Sequence, residues 1–240
     1  MPAFDVNASR LARDAAAPRE SPSNRFNMSL SWSVARPVIA EGSVVHSTFG
    51  GLIALDAKTG QERWRDSPFD TLQFFRSPAV HDGTVYVTGA DIGLVALDTT
   101  DGSVGWTLKS NTSVEAPPAP AGRWEPLCVG DETGEVARVT LDGEVAWRTN
   151  VYGNVTRLVA NRTDGVSVGT SSGEVYFLYE GRGMWRQSVP GEVTALAGSE
   201  GSQTWLPLLL RNKTQQCTDN RHSYFASKTL MNYRFQTRSR

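Results

Sequence analysis

Short runs that alternate apolar and polar residues fill the middle of the chain, and turn residues interrupt them roughly every 8–12 positions. The runs TVYVTG at 84–89 and GVSVGT at 165–170 are examples, each with β-branched or aromatic residues at alternate positions. Period-two alternation between Gly- and Asp-rich turns is typical of short antiparallel strands. No segment keeps a helical period over three turns. The pattern predicts an all-β fold.

The same unit recurs along the chain. The stretches GGLIALDAKTGQERW at 50–64 and IGLVALDTTDGSVGW at 92–106 both pass from an apolar strand through a Gly turn to a Trp. A four-stranded antiparallel unit of about 40 residues is typical of a β-propeller blade, which buries its faces by stacking on its neighbours. We predict a β-propeller with about four recognisable blades and a partial fifth. The units end at Trp32, Trp64, Trp106, Trp147 and Trp185, at spacings of 32, 42, 41 and 38 residues.

The distribution of Gly and of charged residues along the chain marks the predicted boundaries between its segments. All 22 Gly residues lie between Gly42 and Gly201, where hairpin turns need them. Residues 1–28 mix charges without the apolar stretch of a secretory signal, so we expect a disordered leader there. Residues 29–205 hold the repeats. Residues 206–240 contain seven Lys or Arg, one acidic residue and no Gly, which predicts a basic tail that is disordered or aberrant, as a frameshift would produce.

The repeat resembles the quinoprotein-type, or pyrroloquinoline-quinone (PQQ)-like, β-propeller repeat, whose docking motif reads Ala-x-Asp-x-x-Thr-Gly-x-x-x-Trp. Unit 50–64 matches it fully, and unit 92–106 has Asp101 at the Thr position. In the third unit we assign Ala137 and Val139 to the Ala and Asp positions, and in the fourth Val175 and Phe177. The resemblance implies that each Trp packs between adjacent blades while the Asp fixes its turn. The docking residues are Ala54, Asp56, Thr59, Gly60, Trp64, Ala96, Asp98, Gly102, Trp106, Gly143, Trp147, Gly181 and Trp185.

The motif predicts fold rather than activity, because family members with and without bound quinone share it. The quinone-dependent dehydrogenases imply a calcium site of Glu, Asn and Asp and often a Cys-Cys pair, whereas Cys128 and Cys217 lie far apart here. The three His residues are equally dispersed, and no nucleophile or phosphate-loop motif occurs. We predict a non-catalytic binding scaffold without cofactor or metal. The alternative is a divergent or remnant PQQ-dependent alcohol or sugar dehydrogenase that uses PQQ and calcium.

Binding residues are expected on one face of the propeller. The loops that lead into successive blades share this face with the turns between each second and third strand, and such loops carry function. Aromatic and charged groups around the central opening suit a protein or peptide ligand. An alternative role for Phe74 or Phe75 is packing between blades. The candidate binding residues are Phe75, Arg76, Asp91, Glu115, Asp131, Tyr152 and Arg157.

Charge and hydropathy limit the classes of partner that the sequence predicts. A net charge of −1 gives no general case for nucleic acid, and no apolar run is long enough for a membrane span. Exposed strand edges at the ends of an open propeller favour a homodimer. The compartment stays open: an excess of Asn-x-Ser/Thr sequons suggests an exported relative, yet turn-rich β-proteins use the same residues. The sequons begin at Asn7, Asn27, Asn111, Asn154, Asn161 and Asn212.

Overall fold

Every regular element that the structure describes is a β-strand. The structure is a computed structural model, and it describes residues 11–12, 26–27, 35–48, 51–66, 76–90, 92–120, 127–160, 165–196 and 198–199. Sixteen strands form four antiparallel sheets of four strands, each in chain order. These sheets confirm the all-β, four-stranded blades that the alternation predicted.

The four blades follow one another along the chain. Blade 1 contains β2 (Val38–Ala40), β3 (Ser43–Thr48), β4 (Gly51–Asp56) and β5 (Glu62–Asp66). Blade 2 contains β6 (Ala79–His81), β7 (Thr84–Gly89), β8 (Gly93–Asp98) and β9 (Val104–Leu108). Blade 3 contains β10 (Ala119–Pro120), β11 (Leu127–Gly130), β12 (Glu135–Val139) and β13 (Val145–Asn150). Blade 4 contains β14 (Val155–Ala160), β15 (Gly165–Thr170), β16 (Glu174–Tyr179) and β17 (Arg182–Ser188). A parallel pair joins β1 (Leu11–Ala12) to β18 (Gly198–Ser199).

Neighbouring blades share apolar clusters. The cluster between blades 1 and 2 contains Val45 and Leu52 from the first blade and Val85 and Val95 from the second. The first strands of consecutive blades contact one another, from β2 to β6, β6 to β10 and β10 to β14. Because these first strands converge, they are the inner strands of the arrangement.

The Trp of one blade packs on the Gly turn of the next. Trp64 Nε1 donates a 2.8 Å hydrogen bond to the Thr99 carbonyl. A Cβ atom at Gly102 would lie 2.7 Å from the Trp64 ring, so the close approach requires glycine. Trp106 repeats the arrangement, donating to the Leu141 carbonyl at 2.8 Å and covering Gly143. Each indole therefore combines apolar packing with a satisfied N–H.

Strand register changes two of the motif assignments. Ala54 and Ala96 lie opposite their Trp residues, as expected. Opposite Trp147, however, the structure places Arg138 and not Ala137, which moves the Asp position from Val139 to Thr140. The Thr140 hydroxyl accepts a hydrogen bond from the Glu144 amide at 3.0 Å. The connection to the Trp is one residue shorter in this blade than in the first two, so a fixed motif spacing selects the wrong residue.

Blade 4 shows a larger shift of the same kind. Phe177, and not Val175, lies opposite Trp185, and the two rings stack with centroids 6.0 Å apart. Tyr179 then takes the Asp position that we had assigned to Phe177. The connection is two residues shorter than in the first two blades, which again explains the error. Gly181 keeps its expected place, with a Cβ position 3.1 Å from the Trp147 ring.

A carboxylate closes the docking turn of blade 1. Asp56 Oδ1 accepts hydrogen bonds from the amides of Lys58 and Thr59, both at 2.9 Å. Its other oxygen pairs with the Arg63 guanidinium at 2.6 Å. The hydrogen bond from Arg63 is the largest cause that holds the pKa of Asp56 well below its usual range, and the hydrogen bonds from the two amides come next. Asp98 holds the equivalent turn of blade 2, where hydrogen bonds from Thr100 lower its pKa.

We predict that Gly102→Ala is more destabilising than Gly83→Ala. Both glycines have φ near +75° (+77° and +74°), so an alanine at either one costs about 1 kcal/mol in backbone strain. Only at Gly102 does the new Cβ meet the Trp64 ring, since nothing lies within 4 Å at Gly83. Overpacking should add roughly 1–3 kcal/mol. Urea unfolding measures the difference, and equal losses in the two variants would contradict ring-on-glycine docking.

Asp56→Asn should lower the free energy of unfolding at neutral pH and change it much less in acid. A depressed folded-state pKa stabilises the fold above the unfolded pKa, and that stabilisation is lost as pH falls below about 4. The gap between wild type and variant in unfolding free energy should therefore shrink from pH 7 to about pH 2.5. Asp142→Asn, at an exposed turn aspartate of blade 3, is the control. A gap that is independent of pH would refute the role of the Asp56 charge.

Candidate functional site

Hydroxyl groups fix the loops that lead into successive blades. The Ser47 hydroxyl on β3 donates to the Arg76 carbonyl at 3.0 Å, and the Arg76 amide donates to the Thr88 carbonyl at 2.8 Å. One blade later, the Thr88 hydroxyl donates to the Ala116 carbonyl at 2.9 Å. We name the two hydroxyl bonds the inter-blade latches. They hold the start of each blade against the end of the preceding blade's second strand, beside the inner strands.

Glycine replaces the hydroxyl in the later blades. Gly130 and Gly169 occupy the strand positions equivalent to Ser47 and Thr88. A Cβ atom at Gly130 would lie 2.4 Å from the Val155 side chain, and one at Gly169 equally close to Val193. In blade 4 the Thr156 hydroxyl supplies the missing bond, donating to the Val193 carbonyl at 2.6 Å. The repeat motif did not predict the latches, although Ser47 and Thr88 recur at the same strand position in blades 1 and 2.

Three arginines from different blades lie on the face that the latches organise. Arg36 precedes β2 and is exposed, whereas Arg76 precedes β6 and Arg157 lies on β14, both half-buried. Burial lowers the pKa of Arg157, the Glu192 carboxylate opposes this, and the positive charges of Arg36 and Arg76 add to the lowering. Because the charges of Arg36 and Arg76 both reach Arg157, we name the three residues the arginine cluster. Arg76 and Arg157 are among the candidate binding residues predicted from the sequence, whereas Arg36 is not.

Backbone carbonyls hold Arg157 in place, and a carboxylate holds Arg76. Arg157 Nε donates to the Thr194 carbonyl at 2.6 Å, and its guanidinium also donates to the Thr156 carbonyl. Arg76 forms an ion pair with Glu115, with Nη2 3.2 Å from Oε1. Within the described part of the chain, Arg76 Nε is buried without a hydrogen-bond partner. These contacts orient the guanidinium groups of Arg157 and Arg76.

The remaining candidate binding residues differ in role. Asp131 is 7% exposed, and its oxygens accept from the Thr133 and Glu135 amides at 2.9 Å and from the Thr112 hydroxyl at 2.5 Å. Its carboxylate therefore closes the β11–β12 turn and ties it to the preceding loop. Tyr152 is 67% exposed and free to contact a partner. Phe75 and Asp91 lie outside the described residues.

The described residues do not fit the calcium site of the dehydrogenase alternative. Among them, no three His, Cys, Asp or Glu side chains come together as metal ligands. The loop face instead presents guanidinium groups, and Glu115 there is already paired with Arg76. A polar cavity of about 370 Å³ between blades 2 and 3 is lined by residues such as Lys109, Asn111 and Asp131. We derive no step through quinone or calcium.

No helix in the described ranges is long and apolar enough to cross a membrane.

Comparison with known proteins decides the family. The family model described as outer membrane protein assembly factor BamB matches residues 10–163, more than half of the chain. The chain belongs to this family. BamB of Yersinia pestis is 31% identical over 120 residues, which cover 48% of this chain and 30% of the relative. The match thus spans less than a third of that relative's length. The family confirms the resemblance to PQQ-like repeats.

Solved structures of similar fold confirm the β-propeller. BamB from Moraxella catarrhalis has a TM-score of 0.50 at 19% identity, covering 72% of this chain and 66% of that one. Quinohemoprotein alcohol dehydrogenase from Comamonas testosteroni has a TM-score of 0.57 at 17% identity, covering 74% and 39%. The computationally designed Ika8 protein has a TM-score of 0.59 at 20% identity, covering 70% and 53%. At these identities the likeness shows the fold alone.

We predict that Asp131→Ala weakens folding. The substitution leaves the Thr133 and Glu135 amides and the Thr112 hydroxyl without their buried acceptor, so the free energy of unfolding should fall by about 1–3 kcal/mol. Glu144→Ala, at an exposed turn position of the same blade, is the matched control and should change it little. Urea unfolding tests both variants. Equal stability of the two would show that Asp131 does not organise this turn.

Proposed function

We propose that this chain is a non-catalytic scaffold that binds an acidic segment of a protein partner on its arginine cluster. The observation that supports it is that Arg36, Arg76 and Arg157 come from three blades, and that the charges of Arg36 and Arg76 reach Arg157 and lower its pKa. The Arg36 amide also donates a 3.0 Å hydrogen bond to the hydroxyl of Ser77, the residue after Arg76. Glu115 and Glu192 offset part of this positive charge, but the three guanidinium groups outnumber the two carboxylates, so a further anion is favoured there. No cofactor and no catalytic step form part of the proposal.

Carboxylates are the groups that such a cluster fits best. The guanidinium group offers a planar fork of donors that matches a carboxylate with two parallel hydrogen bonds. The Thr194 and Thr156 carbonyls already orient Arg157, so binding costs less side-chain entropy there.

The family supplies the context for the partner. Its description is that of an outer membrane protein assembly factor, and we propose that this chain likewise holds a protein during assembly. Glu115 competes for Arg76, and Glu192 acts on Arg157, so a partner must displace internal carboxylates. Such an exchange favours moderate, salt-sensitive affinity, as suits a transient complex.

The exposed Tyr152 extends the proposed contact surface. Tyr152 belongs to the loop between blades 3 and 4, which joins β13 to β14. Its amide donates a 3.2 Å hydrogen bond to the Tyr176 hydroxyl. Tyr residues are enriched in protein-binding sites because one ring offers both apolar area and a polar group. We propose that Tyr152 contacts apolar parts of the segment whose acidic groups meet the cluster.

Arg157→Ala should weaken binding of an acidic peptide about tenfold, corresponding to about 1.4 kcal/mol. The measurement is fluorescence anisotropy with a labelled, extended peptide rich in Asp and Glu, alongside a peptide with Asn and Gln in their places. Binding of the acidic peptide should fall as salt is raised. Arg157→Lys, which keeps the charge but not the planar fork, should lie between the wild type and Arg157→Ala.

Arg65→Ala is the matched control. Arg65 lies on the outer strand β5 and pairs with Glu62, so the variant removes the same charge away from the cluster. It should bind the acidic peptide as the wild type does. The proposal fails if Arg65→Ala and Arg157→Ala weaken binding equally, or if the wild type binds the acidic and amide peptides alike.

A further inference from the structure

Phe26 occupies, on blade 1, the position that a docking Trp occupies on blades 2 and 3. In blades 2 and 3, the turn glycines Gly102 and Gly143 are covered by the Trp rings of the preceding blades. Gly60 is the equivalent glycine of blade 1, with φ of +74°. A Cβ atom there would lie 2.5 Å from the ring of Phe26. Phe26 therefore covers blade 1 as Trp64 covers blade 2.

The side of blade 1 that faces away from blade 2 is largely buried. Ile53 and Leu55 are equivalent to Val95 and Leu97, which pack against the preceding blade. Ile53 is 0% and Leu55 3% exposed, yet neither belongs to the cluster between blades 1 and 2. They lie on the same sheet as Gly60, the glycine that Phe26 covers. Ile39 on this side stays 59% exposed, so apolar surface remains at the inner strand.

The chain segment around Phe26 also reaches the other end of the blade series. Leu11 and Ala12 pair in parallel with Gly198 and Ser199, which follow blade 4. One segment therefore contacts the strand after the last described blade and, fourteen residues beyond Ala12, the docking turn of the first. This arrangement connects the two ends through the chain itself.

We propose that the Gly60 turn of blade 1 is a docking site for an aromatic side chain carried on a peptide segment, and that Phe26 of the same chain fills it. The site is built by the Asp56 hydrogen bonds, which fix the turn, and by the glycine, which lets a ring lie flat on its backbone. Its ligand is a peptide segment with a Phe or Trp. A partner that carries such a residue competes with Phe26.

The chemistry of the site favours Trp over Phe. In the equivalent turns of blades 2 and 3, the indole N–H donates to a backbone carbonyl. That carbonyl belongs to Thr99, which follows Asp98, or to Leu141, which follows Thr140. The equivalent carbonyl in blade 1 belongs to Ala57. Phenylalanine has no N–H to donate, so a Trp in its place gains a hydrogen bond as well as a larger ring.

The test supplies the segment in trans. The full chain with Phe26→Ala is titrated with a labelled peptide of residues 20–30, and with versions carrying Trp or Leu at position 26. The Trp peptide should bind several-fold tighter than the Phe peptide, and the Leu peptide about tenfold weaker. Wild-type chain, whose site is filled, should bind each peptide at least about tenfold more weakly than the variant. Equal binding by both chains, or by the Leu and Phe peptides, overturns the proposal.

A glycine pair supplies the matched control. In the Phe26→Ala background, Gly60→Ala should abolish peptide binding, because the new Cβ occupies the space of the ring. Gly83→Ala, with the same φ of +74° and open space around it, should leave binding intact. Loss of binding in both variants, or in neither, contradicts docking at Gly60.

Hydrogen exchange keeps the proposal testable if Phe26→Ala does not fold. In full-length Phe26→Leu, which stays apolar but loses the flat ring, amides of β4 should exchange faster than in the wild type. Amides of β16 in blade 4, far along the series, should exchange at the wild-type rate. Unchanged exchange in β4, or equal acceleration in both strands, refutes the role of Phe26.

Discussion

The contact between an aromatic ring and a turn glycine is the interaction on which the rest of this structure depends. A ring lies flat on the next blade because that turn lacks a Cβ, and the same turn needs glycine for its positive φ of +77° or +89°. One residue type thus satisfies a local backbone requirement and a packing requirement. A single blade exposes both apolar faces, so its stability comes from neighbours that are stacked in this way.

Stacking also creates the surface that we propose for binding. As successive blades pack, their first strands converge, and the inter-blade latches bind the start of one blade to the second strand of the one before. Arg36, Arg76 and Arg157 owe their proximity to this geometry, because they are far apart in sequence. The scaffold therefore fixes the donors before a partner arrives, which lowers the entropic cost of binding.

Much of the fold could be predicted from the sequence, whereas the details of the site could not. The docking residues of blades 1 and 2 followed from a repeated spacing, but shortened connections moved the match to Arg138 and Phe177 in blades 3 and 4. Asp131 looked available for binding, and only the fold brings the Thr112 hydroxyl to it. Phe26 carries no repeat pattern, so only its position against Gly60 reveals a role.

The mass of the purified 240-residue chain in solution tests the account most directly. If rings on glycines join the blades and Phe26 covers the first of them, the chain has little need of a second copy. Light scattering on a size-exclusion column should then give a sharp peak at the mass of one chain. A peak at the mass of two chains would contradict this account and favour the homodimer that open blade edges predict.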